Sequence, residues 1–162
     1  MRLGGGWPVS RNPDNWLSTK SRVVAGMAIA VGSVAVLVSD EKKAMAWYRD
    51  VLGFEVVNAV GHAVFLRPRG GGTMIHLCSR NDSWEGDKPG GRTGVWLQCG
   101  PLVTSKDEKT GMTIVASDPG SVEKTYKELV SKGVRFSEEL KTEWWGKMAI
   151  MQDPEGNEFE IS

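Results

Sequence analysis

Histidine is scarce in this chain of 162 residues: His62 and His76 are the only two. Mechanisms that need three imidazoles are therefore excluded. Cysteine is equally sparse, with Cys78 and Cys99 alone, which builds no disulfide framework and points to a reducing, cytoplasmic compartment. Excess charge of either sign is missing too. Twenty Lys plus Arg balance twenty Asp plus Glu for a formal net charge of zero, so there is no basic field to collect nucleic acid or an anionic membrane, and neither is expected as a partner. Long apolar runs are also lacking. Val23 to Val38 is uncharged and follows Lys20 and Arg22, but it is rich in Ala and Gly and falls short of the ~20 strongly apolar residues of a membrane span. No phosphate-binding GxxxxGK(S/T), dinucleotide-binding GxGxxG, paired CxxC, HExxH or GxSxG occurs, which leaves no basis for a nucleotide cofactor, nucleotide-driven chemistry or serine-hydrolase chemistry.

What is present is a pattern written twice. Ser33 to Val38 predicts a strand and Asp40 a helix cap. Ala44, Trp47, Tyr48, Val51 and Leu52 then recur at helical spacing before Gly53 ends the helix. This stripe makes Trp47 and Tyr48 core residues. Phe54 to Val60, His62 to Leu66 and Thr73 to Cys78 predict three further strands. Met112 to Ala116 then predicts a second opening strand, and Asp118-Pro119 a second helix start with Pro at its first position. Val122, Thr125, Tyr126, Leu129 and Val130 repeat the stripe before Gly133, and Val134 to Phe136, Met148 to Gln152 and Asn157 to Ile161 follow as strands. Asp40 precedes Tyr48 by eight residues as Asp118 precedes Tyr126, and His76 follows Gly72 by four as Glu160 follows Gly156. These matching registers predict two half-domains related by internal duplication. Residues 81 to 111 would join them, with a short additional strand at Val95 to Cys99 and a solvated charged loop at Lys106 to Lys109. Residues 1 to 27 carry no sustained period and are expected to lie outside the fold.

The stretch VLVSDEKKAMAWYRDVLGFEV from Val36 to Val56, the pair Trp145-Gly146 and the closing DPEGNEFEI from Asp153 to Ile161 resemble the vicinal oxygen chelate superfamily, also called the glyoxalase/bleomycin-resistance/dioxygenase fold. The likeness covers about residues 28 to 162. It implies an α+β domain of two βαβββ modules, about 33–80 and 112–162, forming a curled mixed sheet around a central cavity. It also implies a small-molecule ligand, often over a divalent metal, and often a homodimer.

Strand alternation limits which side chains can enter such a cavity. Met74, His76 and Cys78 share the face opposite Ile75 and Leu77, and Glu158 and Glu160 share the face opposite Phe159 and Ile161. In the duplication His76 and Glu160 become symmetry mates, expected to face one cavity. They could hold one zinc, nickel or iron ion, act as base and acid without a metal, or simply line a cleft as a hydrogen-bonded imidazole and a paired carboxylate. The ligand positions that the resemblance implies on the opening strands fall on Ser33 and on Gly111 or Met112, none a good ligand for a divalent metal, leaving Gln98, water or substrate to complete the set. Cys78 is expected to line the cavity with Met74 and not to act as a thiolate nucleophile. Trp84, Trp144 and Trp145 sit in turn-rich segments and could cap a planar ligand or plug an interface. His62 is expected at the rim. The resemblance implies a glyoxalase-like lyase or isomerase working through an enolate at His76 and Glu160, with dioxygen chemistry the weaker variant. The alternative is a non-catalytic binding protein similar to the bleomycin-resistance type.

Overall fold

Asp40 starts the first helix of the computed structural model, which describes residues 31–61, 63–79 and 88–162. Its Oδ1 accepts hydrogen bonds of 3.0 Å from the backbone N–H groups of both Lys42 and Lys43, satisfying donors that a helix start leaves without partners. The cap joins β1 (Ser33–Val38) to α1 (Glu41–Asp50). Gly53, at φ +73°, turns the chain out of the helix into β2 (Glu55–Val60), β3 (Ala63–Arg67) and β4 (Met74–Ser79). These strands form a sheet in the order β1-β4-β3-β2, with β1 parallel to β4 in a register that runs from Ser33 opposite Met74 to Val38 opposite Ser79.

The second sheet repeats this order as β5-β10-β9-β8, from β5 (Gly91–Leu97), β8 (Arg135–Glu143), β9 (Gly146–Gln152) and β10 (Asn157–Ile161). Its opening strand is not the expected one. Gly91–Leu97 runs parallel to β10, whereas β7 (Thr113–Ser117) pairs antiparallel with β6 (Leu102–Lys106) in a separate two-stranded hairpin. The short strand expected at Val95 to Cys99 is thus the opening strand of the second module, and the strand expected to open it belongs to an inserted hairpin. The physical reason is local closure. Asp107 Oδ1 accepts from the N–H groups of Lys109 and Thr110 at 3.0 and 2.6 Å, forming a tight turn that pairs β6 with β7 at little loop-closure cost. The β10 edge is already taken by β5, and the pairing continues past it as Ser162 N–H donates to Leu97 O and Cys99 N–H to Ser162 O. After the hairpin, Asp118 caps α2 (Pro119–Ser131) by accepting from Ser121 N–H at 2.8 Å.

The helix-facing sides of both sheets share one apolar core. Val36, Tyr48, Leu66 and Leu77 from the first module and Val122, Met151, Phe159 and Ile161 from the second belong to a single cluster. Tyr48 and Phe159 meet edge to face with ring centroids 6.1 Å apart, a geometry that aromatic quadrupoles favour. Trp47 packs partly buried against this cluster, so the helix stripe lies where its periodicity puts it. Replacing Phe159, which is fully buried, by Ala would cost about 3–5 kcal/mol. Among the described residues no helix is long and apolar enough to cross a membrane. His62, Trp84 and the extension expected over residues 1–27 lie outside the described residues.

Candidate functional site

The faces turned away from the helices carry the candidate chemistry, and the two modules build them alike. His76 stands on β4 between Phe65 of antiparallel β3 and Ala35 of parallel β1. Glu160 stands on β10 between Ile150 of antiparallel β9 and Trp96 of parallel β5. The two therefore occupy matching ladder positions, each on the closing strand of its sheet. The alternation in burial follows: Ile75 and Leu77 are buried with Met74 and His76 half-buried, and Phe159 and Ile161 are buried with Glu158 and Glu160 half-buried.

In the first module, His76 Nδ1 lies 3.0 Å from Ser33 Oγ, and its ring stacks on Phe65 with centroids 5.4 Å apart and planes tilted by 31°. Ser33 and Met74 are direct partners across the parallel ladder. These three share a neighbourhood. Cys78 departs from it. It is 5% exposed, its Sγ lies 3.9 Å from Val36 O, and burial, with a lesser contribution from the Glu41 carboxylate, pushes its thiol above the ordinary value. A protonated, buried thiol is neither a nucleophile nor a ligand.

The second module holds a small cavity whose origin is a defect in strand pairing. Between the partners Glu158–Arg92 and Glu160–Trp96 the register slips, so Thr93, Gly94 and Val95 together oppose Phe159. Gly94 adopts φ +70°, a conformation that glycine tolerates best. Thr93 pins the irregularity: its Oγ1 donates to Glu158 O at 2.7 Å and accepts from Val95 N–H at 3.1 Å. Bulges of this kind bend a strand and re-aim the next side chain. Here the bulged stretch lines a hollow of about 90 Å³ with Arg92, Trp96, Ile150, Glu158 and Glu160. Trp96 donates its indole N–H to Ser162 O at 3.0 Å, yet it remains 47% exposed. The indole is held at its polar atom and offers its apolar surface.

Carboxylates dominate the charge around this hollow. Arg92 is engaged by Glu138 and, at 3.7 Å, by Glu158. Glu158 also accepts from Gln152 Nε2 at 3.2 Å. Glu160 accepts a hydrogen bond only from the neutral hydroxyl of Ser162, at 3.1 Å, among the described residues.

Several expected site residues stand elsewhere. Gln98 is exposed, turns its side-chain amide to Gly100 O at 2.7 Å, and lines a different crevice of about 200 Å³ between the modules, with Leu52, Phe54, Cys99 and Leu129. It does not join Glu160. Trp144 is 67% exposed and Trp145 half-buried at the β8–β9 turn, and neither lines the Trp96 hollow. Gly111 and Met112 sit at the foot of the inserted hairpin, not on the strand beside β10. No hydrogen bond or ion pair joins His76 to Glu160; the partner of His76 is Ser33. Among the described residues no three His, Cys, Asp or Glu side chains cluster as a metal ion would need. His76 and Glu160, with Ser33 and without Gln98, do not fit a metal centre. Trp96 and Arg92 are the residues that sequence reasoning missed; Gly94 inside a strand pattern was the available signal of a bulge.

Comparison with known proteins agrees with this architecture. The sequence pattern of the Glyoxalase/Bleomycin resistance protein/Dioxygenase superfamily matches residues 30–161. No curated protein matches. Among solved structures, a member of the same superfamily from Sphaerobacter thermophilus DSM 20745 is similar at 29% identity and a TM-score of 0.61, covering 83% of this chain and 96% of its own. TnmS3, an antibiotic binding protein from Streptomyces sp. CB03234, is similar at 25% identity and a TM-score of 0.60, covering 85% of this chain and 98% of its own. A lactoylglutathione lyase from Agrobacterium tumefaciens shares the fold at 19% identity and a TM-score of 0.58, covering 83% of this chain and 93% of its own. Paired sheets in a repeated strand order, one helix packed on each and a sequence match across nearly all of the described chain lead to one assignment: the protein belongs to the glyoxalase/bleomycin-resistance/dioxygenase superfamily.

Proposed function

We propose that this protein binds a planar aromatic small molecule on the open face of its second sheet and releases it unchanged. One observation carries the reading: an indole tethered through its N–H and left half exposed beside a hollow in the sheet. A tethered aromatic loses little conformational entropy on binding and supplies stacking area to any flat ring. The volume of about 90 Å³ suits one ring or one small substituent, well below the ~300 Å³ at which complete drug-sized pockets begin. The rest of the ligand would lie along the open face. A second copy of the chain placed over that face would enclose it, so a homodimer is part of the proposal, checked by sedimentation with and without ligand. The 25% identity to an antibiotic binding protein supports the same reading.

The test is equilibrium dialysis with acridone, a neutral planar tricycle. Binding should weaken about tenfold on Trp96→Ala, the loss of one good stacking contact, and largely survive Trp96→Phe. Acridone that binds Trp96→Ala as well as it binds the parent protein would remove the proposal.

A second reading rests on the 3.0 Å contact between Ser33 and His76. A hydroxyl that orients one ring nitrogen leaves the other to take a proton from a substrate carbon, as a lyase or isomerase working through an enolate requires. Exchange of substrate α-hydrogens with deuterated water, lost on His76→Ala, would favour this reading over simple binding.

A further inference from the structure

The charges around the Trp96 hollow narrow the kind of ligand, and this step rests on the binding reading above. Among the described residues, three charged side chains line the hollow: Arg92, Glu158 and Glu160. Arg92 offers little to an anion, because Glu138 and Glu158 already engage its guanidinium. Glu158 is in turn partly satisfied by Arg92 and by Gln152. Glu160 differs, since its one hydrogen-bond donor among the described residues is the neutral Ser162 hydroxyl, while its flanks are Ile150 on β9 and Trp96 on β5.

A half-buried carboxylate between an aliphatic chain and an indole has lost part of its water, and among the described residues no cation pairs with it in return. Both neighbours favour the same visitor. A carboxylate attracts a cation through charge, and the indole attracts one through its quadrupole, most strongly where water is displaced. An anionic ligand would meet two carboxylates and a guanidinium that is already occupied.

We infer that the ligand carries a cationic nitrogen, an ammonium or a protonated ring nitrogen, seated between the Glu160 carboxylate and the Trp96 indole, with its planar part continuing over the open face. Recognition is therefore twofold: stacking selects flat rings, and Glu160 selects the charged ones among them.

The experiment compares three planar tricycles on the full chain by equilibrium dialysis: proflavine, cationic at neutral pH; acridone, neutral; and 9-anthracenecarboxylate, anionic. Proflavine should bind about tenfold more tightly than acridone, as a partly desolvated cation–π and carboxylate contact predicts, and the anion most weakly. Glu160→Gln keeps the acceptor for Ser162 and removes the charge, so it should erase the preference for proflavine over acridone. Independently of any variant, added sodium chloride should weaken proflavine binding and spare acridone. Equal binding of proflavine and acridone, or a preference that survives both Glu160→Gln and salt, overturns the cation assignment while leaving the aromatic site standing. Failure of all three compounds to bind would overturn both.

Discussion

Tyr48 Oη donates a 2.8 Å hydrogen bond to Asp153 Oδ2 across the boundary between the modules, and neither residue is more than 1% exposed. Asp153 also accepts from Asn157 Nδ2 at 2.8 Å and from the N–H groups of Glu155 and Asn157 at 2.9 Å. Asn157 Nδ2 further donates to Leu37 O in the first module. The two halves are thus joined by a buried polar network as well as by apolar contact. Removing one donor to a buried carboxylate costs about 1.5–3 kcal/mol. Tyr48→Phe should lower unfolding free energy by that amount in urea, with the m-value unchanged because the exposed surface stays the same.

The same tyrosine sets an alkaline limit. Its ionisation is pushed far above the ordinary value of 10.0, first by burial and then by the Asp153 charge and hydrogen bond. A raised folded pKa means that the native state keeps a proton which the unfolded state gives up. The stabilising contribution is complete below about pH 10 and shrinks as pH rises further. Burial raises the Cys78 and Cys99 thiols in the same direction. In a Tyr126→Phe variant Tyr48 is the only tyrosine left, so absorbance near 295 nm should report it alone. Tyrosinate should then appear together with loss of helical circular dichroism, not before it. A separate, earlier ionisation would contradict the assignment.

The start of α2 supplies an acid-side counterpart. Glu123 is held down to about 2 by hydrogen bonds from Lys127 and Lys147, with the attraction of the same two charges adding to the effect. Lys127 reaches Glu123 along the helix at 2.8 Å and Lys147 reaches it from β9 at 2.6 Å. A depressed carboxylate pKa gives stability that is present above the ordinary value of 4.5 and lost as pH falls toward 2. Glu123→Gln should therefore flatten part of the acid limb of a stability–pH curve. The difference should be small and should fade in molar salt, since the group is open to solvent. A difference that persists unchanged in high salt would point to packing instead.

How much of this was legible from sequence depends on whether the deciding interaction is local. The Asp40 and Asp118 caps, the helix stripe through Tyr48, and the faces of β4 and β10 are set by residues within a few positions of one another, and each stands where its pattern puts it. Thr113–Ser117 fits an opening strand by period and by its distance from Asp118 equally well. What excludes it from that role is competition with Gly91–Leu97 for the edge of β10, a contact between distant segments that no local pattern records. Trp96 was hidden for a related reason. Its exposure follows from a slip against β10, and plain alternation assumes an unbroken ladder. The matching positions of His76 and Glu160 were legible through the repeated register, but a common hollow for them does not follow from matching positions in two separate sheets.

Gly100 shows where the hairpin insertion constrains the sequence. It adopts φ +84°, and a Cβ added there would lie 2.6 Å from both Cβ and Oγ of Ser121. That distance is far inside van der Waals contact, and Ser121 is fixed by its hydrogen bonds to Asp118. Gly100→Ala should cost about 1–3 kcal/mol through backbone strain and overpacking together. Adding Ser121→Gly removes the clash but not the strained φ, so it should recover only part of the loss. Full recovery would show that conformation contributes nothing at this position.

Thr93 links the fold to the binding site most directly. Its hydroxyl bridges Glu158 O and Val95 N–H, and that bridge holds the bulge from which Trp96 emerges. Thr93→Val keeps the shape and removes the hydroxyl, leaving a carbonyl and an N–H to find other partners, a loss of about 1–3 kcal/mol. If the bulge positions the indole, acridone binding should fall as well, although Thr93 is not among the residues lining the hollow. Thr93→Ser, which retains the hydroxyl, should restore both stability and binding toward the parent values. A Thr93→Val protein that is less stable yet binds acridone normally would separate the bulge from recognition and leave Trp96 to act on its own tether to Ser162.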